Sequence, residues 1–334
     1  MIYKISFQLK STIITYFQAD VIFGHFCWAL RYIYGNNILK EFIESYDIKP
    51  TLFSNSYPDG YLPFPILKPL LNEERKALKD IILFKYGNDF KGYDEKLIDL
   101  SINECISKIE KNELIELNIL SDLKNSFSLY NYFCYIIDRA CSIKKNYNDK
   151  EIAIVHNVID RRTSTTKDVG GFFVTFERFY LSNNENLTFF FFIDTEYLSE
   201  NMISNIMEYL SFSGFGAKKS SGKGALKFLS IDLCNNLLNV DNPNGFVTLS
   251  NFIPDEKTPI KCFYKLLTKF GKLGEEYAQS NNPFKKPIMM FKEGSVFFTN
   301  EKGYYGKLIR NIHSDSNIVH YAYAYPLWLN FEER

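Results

Sequence analysis

The chain has 334 residues, 46% of them hydrophobic, and its 39 Lys and Arg residues balance 39 Asp and Glu residues. That length accommodates one large domain or two ordinary domains with a sizeable core. Because the net charge is zero, the composition excludes a global attraction to nucleic acid, and any anion-binding surface has to be local.

The cysteines and the apolar segments restrict the class of protein further. Six cysteines are scattered without C-x-x-C pairs, which fits neither a zinc framework nor a disulfide framework and suits a reducing cytoplasm. No apolar run reaches the roughly 18 residues that span a membrane, and the N-terminal segment lacks the length and cleavage site of a signal peptide. We therefore expect a soluble, cytoplasmic protein without a metal site or a membrane partner.

The first predicted elements are a strand, a helix and a proline-rich loop. Residues 2–10 alternate between apolar and polar side chains, which is typical of a half-buried strand. Asp20 is the expected N-cap of an apolar, buried helix over Val21–Tyr34 that stops at Gly35. Residues 50–69 contain five prolines and predict an ordered, extended loop.

The middle of the chain predicts helices followed by strands. Residues 72–145 are polar with Leu, Ile, Lys and Glu at mixed spacing, which indicates an inserted set of helices. Strands are expected over 151–157, 171–180 and 187–193, with a polar, basic hairpin tip at 160–168 between the first two. The last strand contains four consecutive phenylalanines and is apolar on both faces, as expected of a central strand.

A glycine-rich loop over residues 213–224 is the most informative segment. It holds four glycines, three lysines and three serines, and it follows a predicted helix (199–210) and precedes a predicted strand (225–231). A nucleotide-binding phosphate loop has the opposite order, and neither the Walker A spacing nor G-x-G-x-x-G fits. Glycines allow close approach and positive φ, so the N–H groups and lysines would bind an anionic chain as a nest. A flexible surface linker is the alternative.

The order of the elements predicts the fold class. Without the insert the order is β–α–β–β–α–β, the ferredoxin-like pattern, with the glycine loop between the second helix and the last strand. Beyond residue 232 we expect four further strands, at 245–250, 287–291, 304–311 and 319–325, and a helix near 261–278. A second, less regular ferredoxin-like unit fits these elements.

We therefore predict an α+β protein with two ferredoxin-like (RRM-like) domains. The first spans residues 1–232, including the glycine loop and the helical insert at about 72–145. The second spans residues 233–334.

Four motifs in this order resemble one family. Gln18–Ala29 looks like its opening helix, Ser56–Pro65 like its proline loop and His156–Thr165 like its His-Asn-x-Ile-Asp-Arg-x-Thr hairpin segment. Together with Gly214–Gly224, they resemble the RAMP superfamily of CRISPR-associated RNA-binding proteins, and within it the family of the fourth Csm subunit of type III-A effector complexes. The insert and the region after residue 232 match this family only loosely, so the resemblance implies nothing about their residues.

The resemblance implies a non-catalytic subunit without cofactor or small-molecule substrate that caps the 5′ handle of the crRNA. It also implies contacts with the large polymerase-like Csm subunit and with the backbone Csm subunit, in antiviral defence. Single-stranded RNA is read through splayed bases, stacking and the 2′-OH, and Arg side chains fork onto phosphates. The candidate RNA-binding residues are His25, His156, Asn157, Arg161, Arg162, Thr163, Thr165, Lys167, Gly214, Gly216, Lys218, Lys219, Ser220, Ser221, Gly222 and Lys223.

Several of these residues also have a purely structural interpretation. His25 would be either a buried, hydrogen-bonded histidine or an RNA contact near a helix N-terminus. The tip would be either a solvated hairpin with Arg161 paired to Asp160 or an RNA-binding element. The proline-rich loop would either stack a base with Tyr57 or Tyr61 or dock on a neighbouring subunit.

Three functions compete at this stage. A binding and scaffold subunit predicts a basic groove between the glycine loop and the Arg161 hairpin, affinity that falls steeply with salt, and no turnover. A metal-independent endoribonuclease of the same superfamily, maturing crRNA, would need His25, His156 and a tyrosine or lysine as general acid and base. A general single-strand RNA chaperone would bind any sequence alike.

Overall fold

A computed structural model describes residues 1–92, 94–139, 147–166, 171–182, 187–234 and 238–332. It confirms a mixed helix-and-strand protein. The helices are α1 (Ala19–Tyr34), α2 (Asn36–Ser45), α3 (Asn72–Tyr86), α4 (Glu95–Glu110), α5 (Leu117–Leu123), α6 (Leu129–Arg139) and α7 (Glu200–Ser213). Short 3₁₀ turns lie at Gly87–Phe90, Lys219–Ser221 and Glu275–Gln279.

The strands are mostly short and all of their pairings are antiparallel in the described part of the chain. They are β1 (Ile2–Leu9), β2 (Leu52–Phe53), β3 (Tyr57–Pro58), β4 (Tyr61–Pro63), β5 (Leu114–Glu116), β6 (Tyr147–Asn157), β7 (Ile159–Asp160), β8 (Thr165–Thr166), β9 (Phe172–Ser182), β10 (Thr188–Asp194), β11 (Leu226–Leu233), β12 (Gly245–Thr248), β13 (Cys262–Phe263), β14 (Leu266–Lys269), β15 (Ile288–Phe291), β16 (Val296–Phe298), β17 (Gly306–Ile309), β18 (His320–Tyr323) and β19 (Pro326–Leu329).

The chain forms two compact units that do not follow each other in sequence. Unit 1 contains Met1–Asp59, Lys145–Asn235 and Lys272–Pro283, and unit 2 contains Gly60–Lys144, Asn236–Gly271 and Phe284–Arg334. The helical segment that we expected as an insert of the first domain therefore groups with the C-terminal part of the chain. Domain limits at residue 232 remain a prediction.

The sheet of unit 1 has the strand order β11-β1-β10-β2, with β3 also paired to β10. Strand β10 is central, and all five of its residues from Phe189 to Ile193 are buried, which confirms the strand expected from the run of phenylalanines. Helix α1 covers one face of this sheet, since the Phe26 ring lies against the rings of Phe53 (centroids 5.2 Å apart) and Phe191 (6.3 Å).

The ends of α1 and α7, the two helices of this sheet, follow from the local sequence with one exception. The Ser199 hydroxyl accepts a bond from the Met202 N–H (3.3 Å) and caps α7. Helix α1 ends at Gly35 as predicted, but Asp20 is not its N-cap. The helix begins at Ala19, whose N–H is satisfied by the Asn55 side chain (2.8 Å), so a tertiary contact replaces the local cap.

The strand that occupies the second position of the β–α–β–β–α–β order is not the one expected. Strands β6 and β9 exist, but they pair with each other along eleven residues as a separate two-stranded sheet. Their place beside β10 is taken by β2 and β3 from the proline-rich loop. Because proline has no N–H to donate, such a segment suits the edge of a sheet.

The tyrosines of the proline-rich loop are buried, which corrects the base-stacking role expected of them. Tyr57 is 4% exposed, and its ring lies against Phe190. Tyr61 is 6% exposed and lies in β4, which pairs with β5. Neither side chain is available to stack a base.

Unit 2 combines a helical core with small sheets. One apolar cluster is built around α3, α4 and α6 and contains Leu70, Leu78, Ile102, Ile106, Phe133 and Ile137. Another is built around β12 and β16 and contains Phe246, Phe252, Phe297, Tyr305 and Ala324. The strands expected at 245–250, 287–291, 304–311 and 319–325 correspond to β12, β15, β17 and β18.

The helix expected near Lys261–Ala278 is wrong. Residues 262–269 instead form β13 and β14, which pair with β16 and β15. The Leu and Phe residues of this segment fit a strand as well as a helix, and Gly271 and Gly274 disfavour a helix beyond it. Across the described residues, no helix is long and apolar enough to cross a membrane.

Candidate nucleic-acid interface

The glycine loop (residues 213–224) is held by a support segment, residues 11–17, which follows β1. The Thr15 hydroxyl accepts from the Ala217 N–H (3.0 Å), and the Thr12 carbonyl accepts from the Gly224 N–H (2.8 Å). The same segment exchanges two backbone hydrogen bonds with β9, between Ile13 and Arg178. One short segment therefore fixes the position of both the loop and the base of the β6–β9 hairpin.

Two glycines of the loop lie where no larger residue fits. Gly224 has φ +65°, and a Cβ there would lie 1.9 Å from the Phe215 carbonyl oxygen. Gly216 has φ +77°, and a Cβ there would lie 2.7 Å from Cβ of Thr15. These glycines allow the loop to close on itself and on the support segment, so the loop is a built structure and not a flexible linker.

His25 anchors the loop from helix α1. Its Nε2 accepts the Gly216 N–H (3.0 Å), and its ring stacks on the buried Phe215 ring with centroids 4.3 Å apart. Burial, with a smaller contribution from the Lys219 charge, lowers the pKa of His25 from 6.5 to about 3. His25 is therefore neutral near pH 7, and the structure places it beneath the loop as a half-buried, hydrogen-bonded histidine.

The three lysines of the loop have different surroundings. Lys219 pairs with the Glu275 carboxylate, and Lys223 pairs with the Glu177 carboxylate (2.5 Å). The Lys218 ammonium lies 3.3 Å from Nε2 of His156 and 5.2 Å from the centre of the Phe173 ring. Lys218 has the left-handed backbone conformation (φ +57°) and directly precedes the 3₁₀ turn Lys219–Ser221.

Most N–H groups of the loop already donate within the chain, to the carbonyls of Leu210, Gly224, Lys218, Lys219 and Thr12 or to the side chains of His25 and Thr15. Within the described residues, the N–H groups of Lys218, Lys219 and Ser220 make no such bond. The anion-binding nest expected for the whole loop is thus reduced to the start of the 3₁₀ turn, where Ser220, Ser221 and Gly222 are exposed.

The β6–β9 hairpin meets the loop through His156. The His156 ring stacks on Phe173, its cross-strand partner (centroids 4.8 Å apart, planes at 15°), and its Nε2 lies 2.7 Å from the Thr175 hydroxyl. His156 therefore sits on the hairpin face that carries the Lys218 contact. Asn157 is the next residue and is exposed.

The hairpin tip is a polar turn closed by β7 and β8. Arg161 and Arg162 are exposed, and the Arg162 N–H, not Arg161, bonds to the Asp160 carboxylate (2.9 Å). The hydroxyls of Thr163 and Thr165 lie 2.8 Å apart. Lys167 lies outside the described residues. The tip thus presents two guanidinium groups to solvent.

Some residues that organise the site carry no motif. Glu177 is 1% exposed and accepts hydrogen bonds from Lys223 and from the Thr12 hydroxyl (2.7 Å). Burial raises the pKa of Glu177, but the bonds from Lys223 and Thr12 outweigh it and hold the pKa below its usual value. Glu177 could have been noticed in the sequence as a lone acidic residue within the apolar strand 172–182. No sequence pattern marks Glu275.

Among the residues described, no group of three or more His, Cys, Asp or Glu side chains is arranged to hold a metal ion. What the site offers chemically is a set of cations, neutral N–H donors and aromatic faces. These are the groups that hold phosphates and stack on bases.

Comparisons with known proteins agree with these observations. The family model of the RAMP superfamily matches residues 6–227. The crystal structure of the Csm1–Csm4 cassette in complex with pppApA contains a similar chain, with a TM-score of 0.56, 16% identity and coverage of 99% of this chain and 100% of that chain. A chain of the Csm3–Csm4 subcomplex from the type III-A CRISPR-Cas interference complex has a TM-score of 0.55 and 17% identity at the same coverage. No significant match was found among the curated proteins.

Proposed function

Because the chain belongs to the RAMP superfamily, we propose that it is an RNA-binding scaffold subunit of a type III CRISPR-Cas effector ribonucleoprotein. In this role it caps the 5′ handle of the crRNA and joins the large polymerase-like subunit to the backbone subunits. It works in the cytoplasm, in antiviral defence, and cleaves nothing.

One observation carries this proposal, namely the contact between the glycine loop and the hairpin. Lys218 of the loop lies against His156 and Phe173 of the hairpin, and the same hairpin ends in the exposed Arg161 and Arg162. Cations, hydroxyls and aromatic rings in one region of unit 1 match what single-stranded RNA offers, which is phosphates, 2′-hydroxyls and base faces.

The solved structures support the proposed partners. The two similar chains come from assemblies with Csm1 and with Csm3, and the component common to both assemblies is Csm4. The similarity covers 99% of this chain. A chain of this fold that contacts both kinds of subunit would connect them.

The surroundings of His25 favour a scaffold over an endoribonuclease. Acid–base cleavage needs groups that exchange protons with a 2′-OH near neutral pH. His25 is half-buried, its pKa is lowered to about 3, and its Nε2 accepts the Gly216 N–H. These surroundings disfavour His25 as a second catalytic histidine beside His156.

The test uses this chain assembled with its cognate large and backbone subunits. Affinity would be measured for RNA that carries the 5′ handle and for RNA of equal length with a scrambled handle, while gel analysis follows the integrity of precursor RNA. We expect tighter binding of the handle RNA and intact precursor. Equal affinity for the two RNAs, or cleavage that is lost in His156→Ala, would overturn the proposal.

A further inference from the structure

The three lysines of the glycine loop look equivalent in the sequence, but their surroundings assign them different tasks. We propose that Lys218 is the loop lysine that contacts an RNA phosphate, whereas Lys219 and Lys223 fix the loop in place through Glu275 and Glu177. This inference rests on the proposed RNA-binding function and names the residues that perform it.

Lys223 is held by a buried acceptor. Glu177 lies in β9 and is 1% exposed, and it receives the Lys223 ammonium and the Thr12 hydroxyl on the same oxygen. A carboxylate taken out of water needs its cationic partner, because an unpaired buried charge is costly. Lys223 therefore attaches the loop to the hairpin base and keeps this partner when RNA binds.

Lys219 is held from the opposite side of the loop. Glu275 lies in the returning segment, Lys272–Pro283, which belongs to unit 1. That segment is attached to α1 by a second ion pair, between Glu276 and Arg31 (3.3 Å), and by the contact of Tyr277 with Trp28 (ring centroids 6.0 Å apart). The carboxylate of Glu275 is therefore positioned by its own contacts and neutralises Lys219.

Lys218 differs from both. In the described part of the chain no carboxylate lies within 4 Å of its ammonium group, and its neighbours are His156 and the Phe173 ring. Its backbone is nevertheless fixed, because its carbonyl accepts the N–H groups of Ser221 (2.9 Å) and Lys223 (3.4 Å). A positioned cation with no carboxylate within ion-pair distance among the described residues, beside N–H groups that make no hydrogen bond there, fits a phosphodiester oxygen.

The salt dependence of RNA affinity distinguishes contact from positioning. Each phosphate neutralised on single-stranded nucleic acid contributes about 0.7 to the slope of log affinity against log salt, whereas a positioning residue contributes nothing to that slope. In the assembled complex, we expect Lys218→Met to reduce the slope by about 0.7. We expect Lys219→Met and Lys223→Met to weaken binding with the slope of the wild type.

A charge exchange provides the sharper control. In the double variant Lys219→Glu with Glu275→Lys, the ion pair is kept while the sign at position 219 is reversed. A positioning role predicts handle affinity within about threefold of the wild type, because the pair still holds the loop. An RNA contact at 219 predicts loss of affinity well beyond that of Lys219→Met, because a carboxylate would face phosphate.

The outcomes separate this inference from the proposed function. Failure of the wild-type complex to bind handle RNA overturns the proposed function itself. Binding by the wild type with an unchanged slope in Lys218→Met, or collapse of binding in a folded exchange variant, overturns only the division among the lysines. If the exchange variant does not fold, Lys219→Met with Glu275→Gln replaces it, with the same expected slope as the wild type and a reduced slope as the contrary result.

Discussion

At the scale of single residues, His25 holds the glycine loop in place. Its Nε2 accepts the Gly216 N–H, and its ring supports Phe215. A protonated His25 would lose this acceptor and bring a charge beside Lys219, which also lowers its pKa. The neutral form is therefore the form that holds the loop.

The low pKa of His25 predicts acid sensitivity. The pKa falls from 6.5 to about 3 on folding, so the unfolded chain binds a proton in this interval that the folded chain does not. His25 thus contributes stability above pH 6.5 that is lost as the pH falls towards 3, by up to about 1.4 kcal/mol per pH unit. Denaturant unfolding of the wild type and His25→Gln at pH 7.5, 5.5 and 4.5 measures this contribution.

His25→Gln keeps an acceptor for Gly216 but has no group that titrates. We expect its unfolding free energy to depend less steeply on pH than that of the wild type below pH 6.5. The difference between the proteins at pH 7.5 gives the loss of ring packing alone. Parallel pH curves for the two proteins would contradict the neutral, buried state of His25.

The ion pair between Lys223 and Glu177 predicts a stability effect at a residue that the motif assigned to RNA. Removing one partner of a buried pair leaves the other charge unpaired and costs on the order of 3 kcal/mol. We expect Lys223→Met to lower the free energy of unfolding by this order, and Lys218→Met to lower it by less than about 0.5 kcal/mol. Equal effects of the two variants in denaturant titrations would contradict the assignment.

Sequence reasoning at this scale identified residue types but not their partners. Lys218, Lys219 and Lys223 share one loop and one charge, and their difference depends on Glu177 and Glu275, which are distant in the chain. The choice between a buried and an RNA-facing His25 depended likewise on Phe215 and on the fold around it. Ion pairs of this kind become visible only after the tertiary contacts are known.

At the scale of elements, the conformation of the glycine loop predicts a graded response to substitution. A Cβ at Gly224 would meet the Phe215 carbonyl oxygen at 1.9 Å, whereas a Cβ at Gly222 has no atom within 4 Å, and both residues have positive φ. Ala at Gly222 then costs about 1–2 kcal/mol for the left-handed conformation alone. Gly224→Ala also requires the backbone to move.

We expect Gly224→Ala to abolish retention of handle RNA and Gly222→Ala to reduce it moderately. Hydrogen exchange of the loop amides is the accompanying measurement, since an opened loop loses the protection of the Gly224 and Ala217 N–H groups. Similar affinity and protection in the two variants would show that the closed loop is not needed for binding.

Replacing the arginines of the hairpin tip should weaken RNA binding with little change in the stability of the fold. Arg161 and Arg162 are exposed, so their replacement by Ala should change the free energy of unfolding by less than about 0.5 kcal/mol. The same double variant should weaken binding of handle RNA and lower the salt slope by up to about 1.4, for two phosphates. Lys302→Ala with Lys307→Ala, two exposed lysines of unit 2, is the matched control and should alter neither quantity.

The elements themselves were largely predictable, and the exceptions have physical causes. The four phenylalanines identified β10 directly, and the helix expected over 199–210 is α7. The segment 262–269 was misassigned because a short apolar run fits a strand or a helix, and its pairing with β15 and β16 decided the matter. The hairpin of β6 and β9 was expected from the polar tip between them, whereas the pairing of β10 with β2 and β3 is a long-range property.

At the scale of the whole molecule, most of the motif residues lie in unit 1, and unit 2 contains only the end of the proline-loop motif, from Gly60. The candidate RNA-binding residues that the structure describes all belong to unit 1, and the helices of residues 72–139 belong to unit 2. Motifs could predict the family because they constrain the backbone locally. The second unit depends on packing between segments far apart in sequence, which no local pattern encodes.

The central claim is that the glycine loop and the hairpin tip of unit 1 hold the crRNA handle, and cross-linking tests it most directly. Handle RNA with a photoreactive uridine would be bound to the assembled complex, irradiated and digested, and the attached peptides identified by mass spectrometry. The account predicts RNA-linked peptides from residues 156–166 and 214–224 of this chain, reduced in Gly224→Ala. RNA attached to unit 2 alone, or to the other subunits alone, would contradict it.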